Sequence, residues 1–198
     1  MTNLDQYRAY WTARFAAEPV EQVVTHMTPA QYADYYRPIL DAVQPPGEVR
    51  VIFDAGCGPG LLLPLLRERW PNAWYEGYDI SPEVIARARE IHKHDGNAVF
   101  TLTQDAAPSF VSAGADFIIA HSIVTHIYPD DAVTLLRNIR AALLPAGRAS
   151  ISIHMCDAGV QGNIHTIRYA PALFEAMVAQ AGLRIVAQVD GQLPPTAG

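Results

Sequence analysis

The chain has 198 residues, half of them hydrophobic and 17% charged, which suits one domain with a buried core and not a disordered chain. Its formal net charge of -6 disfavours a nucleic-acid partner, because phosphate backbones repel an acidic protein. The apolar runs are too short to span a bilayer and no signal peptide is recognised, so we expect no membrane association and a cytoplasmic location. Cys57 and Cys156 indicate neither a disulfide framework nor a zinc site.

Residues 1–48 are predicted to form helices that precede the main fold. The first helix has one aromatic face at helical spacing, made by Tyr7, Tyr10, Trp11 and Phe15. A second helix is predicted to begin after Thr28, since this N-cap residue and Gln31 form the pattern of a capping box. Pro38 is expected to kink or end that helix near Arg37, because proline cannot donate the backbone hydrogen bond of a helix interior.

From residue 49 onward, strand-like segments alternate with helical segments, a pattern typical of a parallel sheet covered by helices on both faces. The predicted strands are 49–54, 73–79, 98–102, 116–120, 148–154 and 183–189. The predicted helices are 60–69, 82–93, 131–144 and 171–181. We expect strand 183–189 to pair beside 148–154, which gives six mainly parallel strands. The proline-rich tail after residue 189 is not expected to add a seventh, antiparallel strand.

A buried strand runs into a glycine-rich turn at Asp54, Gly56, Gly58 and Gly60. Glycine allows positive φ and a close approach of the backbone to a ligand. Proline is harmless only in the first turn of a helix, so Pro64 predicts a helix that begins near Gly60. The free N–H groups of that helix start would point back toward a ligand in the turn.

Asp79 ends the next predicted strand, where a carboxylate can accept hydrogen bonds from both ribose hydroxyls of an adenosine group. This residue weakens the alternative that the glycine turn is only a tight connection without a ligand. A nicotinamide cofactor is disfavoured, because Leu61 stands where the dinucleotide fingerprint requires its third glycine.

Five segments, in this order along the chain, resemble the motifs of the class I S-adenosylmethionine-dependent methyltransferases. They are the glycine turn 54–60, the acidic segment 76–81, and segments 103–106, 115–127 and 143–148. The resemblance implies an α/β fold with a Rossmann-like, doubly wound sheet over residues 49–198, preceded by a helical lid of residues 1–48. It also implies S-adenosylmethionine as cofactor and methyl transfer to an oxygen or nitrogen atom of a small metabolite or natural product.

The same resemblance implies roles for individual residues. Asp54 would lie near the methionine ammonium or its bound water, while Asp79 would hold the ribose. Ile80 would pack on the adenine, Asp105 would accept from the adenine amino group, and the carbonyl of His121 would approach the methionine end. The implied cofactor-binding residues are Tyr10, Trp11, Asp54, Gly56, Gly58, Gly60, Asp79, Ile80, Asp105, Ala106 and His121.

Four histidines are predicted at the carboxyl edge of the sheet, where such sheets bind ligands: His121, His126, His154 and His165. Histidine suits a general base near neutral pH, and we take His126 as the first candidate, followed by His121 and His154. The alternative is that each is a hydrogen-bonded structural histidine. His92 and His94 are expected on the solvated surface.

Three other functions and sites are weighed against this reading. A metal site built from His154, Cys156, Asp157 and His165 fits no zinc spacing, so no metal is expected. A non-catalytic subunit that binds S-adenosylmethionine would keep the glycine turn but lack turnover. A nicotinamide oxidoreductase is the third reading. The fold alone cannot decide among them.

Overall fold

The computed structural model describes residues 2–17, 27–110, 114–163 and 165–189. Within these ranges the main sheet has five strands, all paired in parallel, in the order β3-β2-β1-β4-β5. The strands are β1 (Val51–Ala55), β2 (Trp74–Asp79), β3 (Ala98–Leu102), β4 (Ala115–Ala120) and β5 (Leu143–Ile151). The order reverses between β1 and β4, and this is the position at which open α/β sheets form a ligand crevice.

Helices cover both faces of this sheet, as the sequence predicts. They are α1 (Asn3–Ala17), α2 (Pro29–Ala42), α3 (Leu63–Arg69), α4 (Pro82–Ile91), α5 (Pro129–Ala142) and α6 (Pro171–Gln180). Successive residues of β1 belong to opposite cores, because side chains alternate along a strand. Ile52 is buried in one core with Leu66 of α3, and Phe53 is buried in the other with Leu135 of α5. The Rossmann-like, doubly wound fold is thereby confirmed.

A small second sheet follows β5 at its carboxyl end, in a region where the sequence predicts only a loop. It consists of β6 (His154–Met155), β7 (Val160–Asn163) and β8 (Thr166–Tyr169), and β7 and β8 form an antiparallel hairpin. Ile167 and Tyr169 are buried in the core, and the Tyr169 hydroxyl donates to the carbonyl of Ile127 at 3.1 Å. The hairpin is therefore held against the loop that follows β4.

The predicted sixth strand is wrong. Residues 183–189 form no ladder within the described ranges, and three of their apolar side chains remain exposed: Ile185 at 49%, Val186 at 55% and Val189 at 39%. A β-rich segment is stabilised as a strand only when it pairs with a sheet edge and buries its side chains, and residues 184–189 do neither. The prediction that no seventh strand follows concerns residues 190–198, which lie outside the described residues.

The second helix begins as predicted but does not end at Pro38. The Thr28 side chain accepts from the Gln31 N–H at 3.3 Å, and the Gln31 side chain accepts from the Thr28 N–H at 2.9 Å, which completes the capping box. The helix then continues to Ala42. Pro38 is exposed, so water can reach the carbonyl left without a donor, while Leu40 in the next turn is buried and anchors the helix.

The third helix begins at Leu63 and not near Gly60, although Pro64 does lie in its first turn. Gly60 belongs to the turn before it, with φ at +77°. A Cβ on Gly60 would lie 2.7 Å from Nε2 of His92 and 3.0 Å from the Phe100 ring. Close packing on these two rings, and not a helix start, therefore requires glycine at this position.

We predict that Gly60→Ala destabilises the protein by about 1–3 kcal/mol, because the new methyl group forces both strained backbone and displaced rings. Gly96→Ala is the matched control, since a Cβ there meets nothing within 4 Å, and it should change stability by less than about 0.5 kcal/mol. Urea unfolding of both variants measures the difference. An equal effect of the two substitutions would contradict this account of the turn.

Candidate functional site

A cavity of about 820 Å³ opens at the carboxyl edge of the main sheet. Its floor is the glycine loop after β1, the end of β2 and the loop after β4, and its walls are α1, α2 and the β7–β8 hairpin. Residues from each of these parts line it, including Trp11, Tyr36, Gly58, Asp79, His126 and Thr166. The fold thus brings the predicted glycine turn, the acidic strand end and the histidines around one space.

The glycine loop is fixed by the end of β2. One oxygen of the Asp79 carboxylate accepts from the Gly58 N–H at 3.1 Å, and the other accepts from the Ser81 N–H at 2.9 Å. Gly56 and Gly58 take positive φ values of +71° and +56°, and the Gly56 N–H donates to the Tyr78 carbonyl at 2.8 Å. Burial raises the pKa of Asp79 to about 6, although these backbone donors oppose the rise.

Asp54 lies beside this loop and is the most buried carboxylate of the cavity wall, with 4% of its surface exposed. It accepts a hydrogen bond from the Tyr75 hydroxyl at 2.8 Å. Burial raises its pKa to about 7, and the charge of Asp79 adds to the rise. A cationic group bound nearby would favour the ionised form of Asp54 and lower its pKa again.

Helix α1 lies over the cavity and is tied to the body at two points. The Tyr7 hydroxyl donates to the Asp131 carboxylate at 2.8 Å and accepts from the Tyr128 N–H at 2.7 Å. The Arg8 guanidinium donates to the Thr103 carbonyl at 3.1 Å. These bonds hold the predicted lid against the loop after β3 and the start of α5.

Helix α2 also contributes to the cavity wall, through Tyr32 and Tyr36. The Tyr36 ring stacks on the His121 ring, with centroids 5.3 Å apart and planes 15° apart. Sequence reasoning missed these two tyrosines and the role of Tyr7 as an anchor. The spacing of Tyr32 and Tyr36 predicts that both lie on one face of a helix. The sequence does not show which part of the protein that face covers.

Most of the predicted site residues meet at this cavity. Those that line it are Trp11, Asp54, Gly56, Gly58, Asp79, Ile80, Ala106, His121, His126 and His154. Three others do not line it: Tyr10, Gly60 and Asp105. Tyr10 packs its ring instead against Trp11 and His165, with centroids 5.0 Å and 4.5 Å away.

The position of Asp105 does not support its expected contact with the adenine. The residue is exposed and lines a separate surface depression with Asn3 and Asn138. Its backbone N–H donates to the Thr103 hydroxyl at 3.1 Å, and this local turn directs the loop after β3. Ala106, the next residue, is buried and does line the cavity, so the turn brings only one member of this pair to the site.

The histidines differ in burial and in partners. Nε2 of His121 lies 2.7 Å from the Ser150 hydroxyl oxygen, and its Nδ1 is buried with no hydrogen-bond partner in the described residues. Burial lowers the pKa of His121 to about 4, so its ring is neutral at physiological pH. His126 packs edge-on against Trp11 of α1, with centroids 5.1 Å apart. His154 lies at the rim and is exposed overall, but partial desolvation of its ring and the charge of Arg168 lower its pKa.

His92 corrects another expectation, since it is not a solvated surface residue. Its ring stacks on Phe100 at 5.4 Å beneath the turn that holds Gly60, and burial lowers its pKa. The described ranges contain no group of three or more His, Cys, Asp or Glu side chains placed to hold a metal ion. Within the same ranges, no helix has the length and apolar character needed to cross a membrane.

Comparison with known proteins identifies the central part of the chain. Residues 52–147 match the family described as a methyltransferase domain. A trans-aconitate 2-methyltransferase of Mycobacterium sp. (strain KMS) is 47% identical over 62 residues, which are 30% of this chain and 24% of that protein. The corresponding protein of Streptomyces coelicolor is 41% identical over 70 residues, which are 31% of this chain and 23% of that protein. The chain thus matches about a quarter of the length of these curated relatives.

Solved structures show the same fold over most of the chain. A Leishmania major S-adenosylmethionine-dependent methyltransferase has a TM-score of 0.78 at 15% identity, covering 98% of this chain and 79% of its own. CalO1, a methyltransferase in calicheamicin biosynthesis solved with S-adenosylhomocysteine, has a TM-score of 0.62 at 21% identity, covering 79% of this chain and 49% of its own. Residues 52–147 therefore match a methyltransferase domain, and the chain has the fold of S-adenosylmethionine-dependent methyltransferases.

Proposed function

We propose that the protein transfers the methyl group of S-adenosylmethionine to an oxygen or nitrogen atom of a small molecule. The observation that carries this proposal is the continuity of the cavity. One end has the glycine loop and Asp79, which suit an adenosine group, and the same space extends to His126 and His165 beneath α1. A cofactor and an acceptor can therefore lie in contact within one cavity.

The residues at the glycine-loop end fit the cofactor. Each Asp79 oxygen accepts one backbone N–H, and each keeps a further lone pair with which to accept from a ribose hydroxyl. Ile80 and Ala106 offer apolar surface for the adenine. The buried carboxylate of Asp54 suits the methionine ammonium, which would compensate its charge.

When bound, the cofactor supplies an electrophilic methyl group on a sulfonium. The chain's own contribution is alignment of the two reactants, which can supply roughly 7–11 kcal/mol of the barrier reduction. The anchors of α1 at Tyr7 and Arg8 hold this helix over the cavity and help to exclude water. Because the ring of His121 is neutral, it would add no positive charge to the cavity when a cationic sulfonium binds.

His126 is our choice for the general base that accepts the proton of a hydroxyl or amine acceptor. It lies in the short helical turn Val124–His126 after β4, and its contact with Trp11 directs it toward the α1 side of the cavity. His121 is less suited to this role, because a base whose pKa is near 4 accepts protons weakly at neutral pH. His154 lies exposed at the rim, so it is the more remote candidate.

A small-molecule oxygen acceptor agrees with the names of two similar structures. Mitomycin 7-O-methyltransferase has a TM-score of 0.63 at 20% identity and covers 84% of this chain. An O-methyltransferase family protein from Burkholderia thailandensis has a TM-score of 0.65 at 20% identity and covers 82% of it. These names favour oxygen over nitrogen as the acceptor atom in our proposal.

The cofactor part is tested by Asp79→Asn, which removes the charge and one acceptor oxygen. S-adenosylhomocysteine affinity should fall about tenfold or more, since a hydrogen bond to a charged group contributes about 1.5–3 kcal/mol. Asp34→Asn, an exposed change on α2 outside the cavity lining, is the matched control and should leave the affinity unchanged. Calorimetry with S-adenosylhomocysteine and with NAD makes the measurement, and preferential binding of NAD would refute the proposal.

The base is tested by His126→Ala in a methyl-transfer assay against a metabolite panel. We expect kcat to fall about 10²–10⁴-fold while S-adenosylhomocysteine affinity and melting temperature stay near those of the wild type. A joint loss of melting temperature and cofactor affinity would instead indicate a structural histidine. If the wild type binds S-adenosylhomocysteine tightly but methylates nothing in the panel, the non-catalytic binding subunit becomes the better account.

A further inference from the structure

Arg14 lies on α1, beyond the point at which this helix contacts the loop after β3. The helix contacts the loop after β3 through Arg8, and Arg14 follows about 9 Å farther along the helix axis. Arg14 lines the cavity together with Trp11 and Phe15. Tyr10 and Trp11 lie one helical turn before Arg14 and contact His165 and His126. Arg14 is therefore assigned to the end of the cavity that holds these two histidines, here called the acceptor end.

The Arg14 guanidinium is held in position by rings, and its contacts within the described part of the chain include one donated hydrogen bond. It lies over the rings of Tyr10 and Trp11, with its central carbon 5.9 Å and 5.7 Å from their centroids. One N–H donates to the Tyr10 hydroxyl at 3.3 Å. Arginine has five N–H donors, and no carboxylate of the described residues forms an ion pair with this one. A half-buried cation in this state is suited to an anionic partner.

Charge is distributed unevenly along the cavity. Asp54 and Asp79 are its acidic residues among the described lining, and both belong to the glycine-loop end. Arg14 is the one arginine or lysine in the described lining, and the neighbouring rings of Tyr10 and Trp11 contact His165 and His126. In a protein whose formal net charge is -6, the Arg14 guanidinium would attract an anion, while the carboxylates of Asp54 and Asp79 would repel one.

We infer that the methyl acceptor carries a carboxylate, which the guanidinium of Arg14 binds through paired N–H donors. This inference rests on the proposed methyl transfer and specifies its substrate class. Planar guanidinium and carboxylate groups match in bidentate geometry. The rings of Trp11 and Phe15 stack at 5.8 Å and 23°, and they form an apolar wall that suits a flat, unsaturated acceptor body.

The cofactor also has a carboxylate, so two sources of the same chemistry must be compared. Asp54, the partner expected for the methionine ammonium, is bonded to Tyr75 in the floor of the sheet. Arg14 belongs instead to the helix above, next to rings that contact His126 and His165. This separation favours the acceptor as the source of the carboxylate.

The test is calorimetry on the full chain saturated with S-adenosylhomocysteine. The probes are matched pairs of flat carboxylates and their uncharged amides, namely benzoate with benzamide and cinnamate with cinnamamide. Arg14→Gln should weaken carboxylate binding about tenfold or more and leave amide binding unchanged. Arg137→Gln, the same change at an exposed position of α5 outside the cavity lining, should alter neither.

Three results would overturn the inference. They are failure of both carboxylates to bind the wild type, equal binding of each amide and its carboxylate, and a loss of S-adenosylhomocysteine affinity in Arg14→Gln without a loss of carboxylate affinity. The last result would assign Arg14 to the cofactor. Arg14→Lys, with its melting temperature, serves as the folding control, and it should restore binding only in part because lysine lacks the paired donors. If S-adenosylhomocysteine does not bind the wild type, the proposed function fails first, and that result is distinct.

Discussion

The two backbone hydrogen bonds to Asp79 are the constraint on which the site depends. They join the end of β2 to Gly58 in the neighbouring loop and to Ser81, the N-cap of α4. With the bond from Gly56 to the Tyr78 carbonyl, they fix a loop whose glycines have positive φ. In the proposed function, the remaining lone pairs of the same carboxylate would accept from a ribose, so one side chain would both shape the loop and bind its ligand.

The rest of the cavity is added to this floor from both ends of the chain. From the N-terminal side, Tyr7 bonds α1 to Asp131 and to the Tyr128 N–H, at the start of α5. From the C-terminal side, Tyr169 ties the β7–β8 hairpin to the Ile127 carbonyl. The trans-aconitate 2-methyltransferase of Mycobacterium sp. (strain KMS) aligns with this chain over 62 residues, and a shared fold alone does not fix the methyl acceptor.

Sequence alone predicted the elements that have a strong local signal. The five parallel strands, the capping box at Thr28 and the glycine loop each follow from periodicity or from a residue with a special backbone requirement. The failures come from tertiary context. Residues 183–189 have the composition of a strand but pair with nothing, and His92, which appears polar in sequence, stacks beneath Gly60. Asp105 lies in a segment that resembles a family motif, and its contact with adenine stays a prediction, although a local turn exposes the residue.

The central claim is that Asp79 and the glycine loop bind the adenosine part of the cofactor beneath α1. A crystal structure of the complex with S-adenosylhomocysteine tests it most directly. The account predicts ribose hydroxyls within hydrogen-bond distance of the Asp79 carboxylate, adenine against Ile80 and Ala106, and the thioether directed toward the cavity end that holds His126. An adenosine group bound elsewhere, or an Asp79 carboxylate that contacts only the Gly58 and Ser81 backbone, would contradict it.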